Sequence, residues 1–126
     1  MKFIAAGAER TLWEGNEDLS DGHQPYIGSD AGAEFKDLEV TAGNVVRFYI
    51  EPTEEGWYFE VFEGHWGPQY GKWTGENTEL TVGQQGPVAL TLTQAMIDAA
   101  YEQKWWGGIF VVQGKVKLTK VTVAPL

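Results

Sequence analysis

The 126-residue sequence has no cysteine, so it can hold neither a disulfide nor a thiolate-ligated metal. Cations are scarce as well. Nine Lys and Arg stand against eighteen Asp and Glu, a formal net charge of −9. That balance weighs against a nucleic-acid phosphate backbone or an anionic membrane as partner. No apolar run approaches the roughly 20 residues of a membrane-spanning helix. Serine occurs only at Ser20 and Ser29, neither in a nucleophile elbow, and His23 and His65 are not at metal-ligand spacing. No phosphate-binding loop or dinucleotide fingerprint is present.

What the chain does have is glycine and tryptophan. Sixteen Gly and five Pro favour short strands joined by turns, and six Trp exceed the ordinary needs of a core this size. Charge is divided unevenly: residues 1–63 carry fourteen acids and four bases, residues 64–126 four acids and five bases. A solvated acidic face explains most of this. Calcium ligation by oxygens such as those of Glu14, Glu17 and Asp18 is the alternative, but no EF-hand spacing fixes a site. Residues 1–8 (MKFIAAGA) are too short for a signal peptide or an anchor and read as the ragged start of a module cut from a larger chain. The domain is expected over residues 9–126.

A period of two recurs along the chain. In Asn44–Glu51, Val46, Phe48 and Ile50 alternate with Arg47, Tyr49 and Glu51. In Trp57–Glu63, Trp57, Phe59 and Val61 alternate with Tyr58, Glu60 and Phe62. Further strands are predicted at Arg10–Glu14, Glu34–Leu38, Glu79–Val82, Val88–Leu92, Gly108–Gln113 and Lys115–Val123. The last changes phase, so a bulge is expected near Thr119-Lys120. One helix is predicted over Gln94–Gln103, capped by Thr93, with Met96, Ala99 and Ala100 on its apolar stripe. The sum is an all-β, two-sheet antiparallel sandwich, jelly-roll-like, with one short helix.

Two aromatic stretches fall outside the predicted strands: His65-Trp66-Gly67-Pro68-Gln69-Tyr70-Gly71-Lys72-Trp73, and Tyr101 to Gly108 with its adjacent Trp105-Trp106. Large rings among turn formers point to an interaction surface. A pyranose presents an apolar C–H face to an indole and hydroxyls to the polar groups around it, and stacking of this order contributes about 0.5–1.5 kcal/mol per ring beyond burial. Trp57 and Trp13 are expected in the core, and Trp66 at a corner or on a platform. Tyr70 and Trp73 are expected to touch ligand. Of Trp105 and Trp106, one should be buried and one exposed. His65, Gln69, Arg47, Glu51 and Gln113 are candidate rim hydrogen-bonders. Single-stranded nucleic acid, the other ligand of ring clusters, needs a positive groove that this composition lacks. Glycoside hydrolysis needs two carboxylates about 5–9.5 Å apart. Glu51 and Glu60 are the nearest approach to such a pair, and among eighteen acids one such pair arises by chance.

Thr11-Leu12-Trp13-Glu14-Gly15, Leu38–Gly43 leading into Val45–Glu51, Gly56–Trp66, and Leu90–Thr93 followed by Gly108–Gly114 and Val116–Val123 together resemble a known family. They are similar, in that order over residues 10–124, to the β-sandwich carbohydrate-binding modules of bacterial polysaccharide-degrading enzymes. The resemblance implies a jelly-roll-like sandwich without catalytic activity, a cell-wall polysaccharide or oligosaccharide as ligand, frequent structural Ca2+, and secretion to the extracellular side as part of a larger multidomain enzyme. Trp105-Trp106 departs from it, standing where a short polar turn is expected. The expected function is therefore binding of β-glucans (cello-oligosaccharides, xyloglucan or mixed-linkage glucan), with Trp66, Tyr70, Trp73, Trp105 and Trp106 as the stacking platform. The alternative is a protein-binding or self-association module that uses the same aromatic surface.

Overall fold

The computed structural model describes residues 9–124; the N-terminal segment 1–8, read above as a module boundary, lies outside them. Eight strands run in chain order as β1 (Arg10–Asp18), β2 (Tyr26–Ile27), β3 (Val45–Pro52), β4 (Tyr58–Glu63), β5 (Gln69–Thr74), β6 (Gly86–Thr91), β7 (Phe110–Gly114) and β8 (Val116–Ala124). They form two four-stranded sheets, ordered β1-β8-β3-β6 and β2-β7-β4-β5, with every pairing antiparallel. Successive strands alternate between the two facing sheets except at the β4–β5 hairpin, which is the jelly-roll order.

Binary patterning accounts for the two layers. Along β3 the even positions Val46, Phe48 and Ile50 are fully buried, while Arg47, Tyr49 and Glu51 face outward. Phe59 and Val61 of β4 face them from the second sheet, as do Phe110 and Val112 of β7. Phe48 is the hub: its ring centroid lies 5.6 Å from Phe59, 5.4 Å from Phe110 and 6.4 Å from Trp73. The phase change in β8 is a bulge, as expected. Tyr49 pairs with Lys120 and Ile50 with Leu118, which leaves Thr119 as the extra residue and returns Val121 and Val123 to the core.

Three expectations are corrected. Glu34–Leu38 is not a strand. A short 3-10 turn leads into a one-turn helix, α1 (Ala33–Asp37), that buries only Phe35. The Glu34 carboxylate accepts from the backbone N–H and the hydroxyl of Ser29 (2.8 and 2.6 Å), and Gly32 turns at φ +65. Glu79–Val82 is a loop, in which Gln84 Oε1 accepts from the Thr81 backbone and hydroxyl. Conversely, residues 69–74 form edge strand β5 rather than a loop. Gly71 is there as a seat for an indole, since a Cβ on it would lie 2.5 Å from Trp73 Cη2.

The predicted helix is α2 (Gln94–Tyr101), and the Thr93 hydroxyl accepts from Met96 N at 3.2 Å. Its buried residues are Ile97 and Ala100, with Met96 packed partly buried against the core, so Ala100 and Met96 lie on the stripe as expected and Ile97 takes the place given to Ala99. Trp57 is core, as expected, and Trp13 packs against its edge.

Trp73 is a correction of function as well as structure. Its ring packs on Phe59 at 5.9 Å and against Phe48, so it closes the core and is no part of an outer platform. Trp73→Ala should lower the unfolding free energy by about 3 kcal/mol in chemical denaturation. A change under about 0.5 kcal/mol would return the residue to the surface.

Candidate functional site

The outer face of the second sheet is built row by row, because directly opposed residues of antiparallel strands share a face. Tyr26, Val111, Phe62 and Gln69 form one row across β2, β7, β4 and β5. Gln113, Glu60 and Lys72 form the next, and Tyr58 and Thr74 the third. In the first row Val111, between Tyr26 and Phe62, is fully buried yet stands outside the core cluster between the sheets. In the second, Gln24 Nε2 donates to Gln113 Oε1 (2.7 Å) and Gln113 Nε2 donates to Glu60 Oε1 (2.9 Å).

The β4–β5 turn adds Trp66 to this face. Glu63, buried at the end of β4, accepts from the His65 backbone N–H at Oε2 (2.8 Å) and from His65 Nδ1 at Oε1 (2.6 Å). Its own backbone accepts from Trp66 N (3.0 Å) and donates to Pro68 O (3.0 Å). Wound around one carboxylate, the turn puts Trp66 at φ +58, a left-handed conformation that a bulky side chain rarely adopts. The indole is thereby thrown outward, 42% exposed. It leans on Phe62 at 5.5 Å, and its Nε1 donates to the Tyr26 hydroxyl at 3.2 Å. Tyr26 is itself 43% exposed.

The loop between α2 and β7 closes onto this turn. Gly64 N donates to Ile109 O and Gly108 N to Gly64 O (3.1 and 3.2 Å), and a side chain on Gly64 would collide with the Gly108 carbonyl. Gly107, at φ +96, lies so close that a Cβ on it would be 2.7 Å from His65 Cδ2. Trp106 stands edge-on to His65, ring centroids 5.3 Å apart. Trp106 is 38% exposed and Trp105 92%. The expectation of one buried and one exposed indole is corrected: Trp106 is anchored but open on one side, and Trp105 is almost wholly in solvent.

The residues singled out from sequence thus separate into groups. Trp66, Trp105 and Trp106 gather at one end of the sandwich, with Gln69 and Gln113 on the adjoining sheet face. His65 is buried beneath Trp106 and supports the surface rather than lining a rim. Tyr70 packs edge-on to Phe110 at 6.1 Å. Burial, aided by the nearby Glu63 carboxylate, pushes its phenol up to about 12, so it is a half-buried wall residue. Arg47 and Glu51 lie on the outer face of the other sheet, across the sandwich from Trp66. There Arg47 pairs with Glu9 (2.6 Å), whose carboxylate also takes the Tyr49 hydroxyl and is held below the usual carboxylate range chiefly by that bond.

The same geometry separates Glu51 from Glu60. They stand on outer faces of opposite sheets, so this pair cannot flank one glycosidic bond. Glu17 is engaged by His23 (3.0 Å) and Asp18 by Ser20 (3.0 Å), and among the described residues no three His, Asp or Glu side chains converge as a cation site. Sequence reasoning missed Tyr26 and Phe62 at the surface. Phe62 was legible as the outward phase of β4, whereas Tyr26 lies on a two-residue strand with no periodicity to read.

No family model matches the sequence, and no curated protein does. Among solved structures, the chain superposes on SGBP-B of the Bacteroides ovatus mixed-linkage glucan utilization locus, solved in complex with a mixed-linkage heptasaccharide. The TM-score is 0.62 at 21% identity, over 91% of this chain and 28% of that one. The likeness shows the β-sandwich fold, and this chain spans little more than a quarter of that protein.

Tyr70 gives a pH test. Its folded value of about 12 lies above the ordinary 10.0, so between those values the folded state holds a proton that the unfolded state has lost. Stability should therefore fall as pH rises through that window. Tyr70→Phe should lose less stability than the parent between about pH 10 and 12 in denaturant titrations. Equal losses would place the Tyr70 phenol in open solvent.

Proposed function

We propose that this domain is a non-catalytic module that binds a neutral β-linked glucan along the outer face of the second sheet. The observation that carries this reading is the joining of two surfaces on one face: exposed rings at one end, and an uncharged or self-paired polar row beside them. Trp66, backed by Phe62 and Tyr26, offers an indole already fixed in place. Trp106 and Trp105 rise beside it from the facing loop. Gln113, Gln69 and Gln24 can donate to and accept from ring hydroxyls, and Glu60 can accept.

Neutrality matters here. A polyanion would approach a chain of net charge −9 against its field, while an uncharged sugar meets no such penalty. Several weak stacks in series give modest affinity, enough to hold an attached enzyme near an extracellular cell-wall polysaccharide by raising its effective concentration. The likeness in fold to a protein solved with a mixed-linkage heptasaccharide supports that ligand class.

Native affinity electrophoresis tests the reading, through gels containing lichenan, xyloglucan, hydroxyethylcellulose, xylan, mannan or none, each with and without chelator. Retardation is expected in the glucan gels. Trp66→Ala should weaken glucan binding about tenfold, or about 1.4 kcal/mol, with the denaturation midpoint nearly unchanged. Unchanged mobility in every gel, together with sedimentation that rises with protein concentration, would instead make the aromatic surface a self-association face.

A further inference from the structure

Beyond the polar row, β4 begins at an open cleft of about 500 Å³, lined among others by Glu55, Trp57, Tyr58, Lys72, Gly75 and Glu76. Trp57 is only 4% exposed. A tryptophan buried to that degree ordinarily gives its indole N–H to an acceptor. Here the Nε1 donor has no acceptor among the described residues and, unlike Arg10 Nε and Thr122 Oγ1, is not sealed from solvent, so it opens toward the cleft beside Gly75, where a Cβ would come within 3.4 Å of it. Tyr58 lines the same cleft, with the Lys72 ammonium 5.7 Å from its ring centroid.

The chemistry of this cleft narrows its occupant. An anion would face the Glu55 and Glu76 carboxylates. A bare cation would leave the indole donor unmet. A neutral ring carrying hydroxyls, each both donor and acceptor, satisfies the N–H and the carboxylates together and offers an apolar face to Tyr58. Position narrows it further. Phe62, Glu60 and Tyr58 succeed one another along one face of β4, and from Phe62 to Tyr58 the strand rises about 13 Å. The cleft is thus the far end of the same track that begins at Trp66.

We infer that the Trp57–Tyr58 cleft is a distal subsite for a sugar unit of an extended glucan chain, with the Trp57 indole N–H as hydrogen-bond donor to a ring hydroxyl. This rests on the glucan-binding reading above and adds a length requirement to it: short oligosaccharides fill only the Trp66 end.

The test uses a mixed-linkage β-glucan trisaccharide and heptasaccharide in calorimetric titrations, with the Trp57 indole N–H resonance followed by two-dimensional NMR. The wild-type protein should bind the heptasaccharide about tenfold more tightly than the trisaccharide, and the Trp57 resonance should move with the heptasaccharide only. Gly75→Leu, on an exposed turn, should cover the indole N–H and bring heptasaccharide affinity down to the trisaccharide level while leaving trisaccharide binding alone. Full heptasaccharide affinity in Gly75→Leu, with a stationary Trp57 resonance and binding still weakened about tenfold in Trp66→Ala, would overturn the distal subsite and leave the glucan reading standing. No binding of either sugar to the wild-type protein would overturn both.

Discussion

The candidate surface depends on one buried carboxylate. Glu63 closes β4, accepts twice from His65, and sets the turn from which Trp66 projects. His65 in turn is the floor on which Trp106 stands and against which Gly107 packs. A buried acid held in this way is costly to desolvate, and its hydrogen bonds repay that cost only if all are made together. The turn and the facing loop are therefore coupled through the same pair. Neither set of indoles can be repositioned without disturbing the other.

The two outer faces of the sandwich show what distinguishes a surface open to ligand from one that is merely solvated. On the first sheet, polar groups satisfy one another: Arg47 and the Tyr49 hydroxyl converge on Glu9, and Lys120 lies over the Tyr49 ring. That face tethers Glu9, at the start of β1, to β3. On the second sheet the Gln24–Gln113–Glu60 chain leaves amide hydrogens and oxygens turned outward, and rings with one bare side flank it. Identical strand patterning built both. The difference lies in whether the outward residues find partners within the fold.

This is also why the fold was more legible in the sequence than the site. Alternation in β3, β4 and β8 reports which residues are buried, because period two maps directly onto the two sides of a strand. It even located the bulge at Thr119. The strands missed were those whose signals depend on other segments. Gly71 looked like a turn former until Trp73 was seen to occupy the space above it, and Tyr26–Ile27 is too short for any period. Glu34–Leu38 had strand-like alternation, but its one buried ring, Phe35, is anchored by Phe110 from another element. Trp73 was misplaced for the same reason: a ring beside glycine and proline reads as exposed unless the facing Phe48 is known. Arg47 and Glu51 were correctly read as outward, yet outward from which sheet is a matter of topology, and period two does not carry topology.

Trp66 and Trp105 differ in a way that bears on how such a surface would hold a sugar. A bulky residue in the left-handed region costs of order 1–3 kcal/mol, and that cost persists only where the surroundings over-determine it. Trp66 meets this condition, fixed by the Glu63 turn, the Phe62 ring and the Tyr26 hydroxyl. Its ordering cost is thus met on folding, and a ligand stacking on it gains nearly the full contact energy. Trp105, 92% exposed, has no such support, and immobilising a side chain of this kind on binding costs about 0.5–1.5 kcal/mol. That is comparable to what one stack contributes. The two indoles therefore cannot be equivalent subsites. In the proposed complex Trp66 would set affinity, while Trp105 would add to it only for ligands large enough to contact it across a wide area.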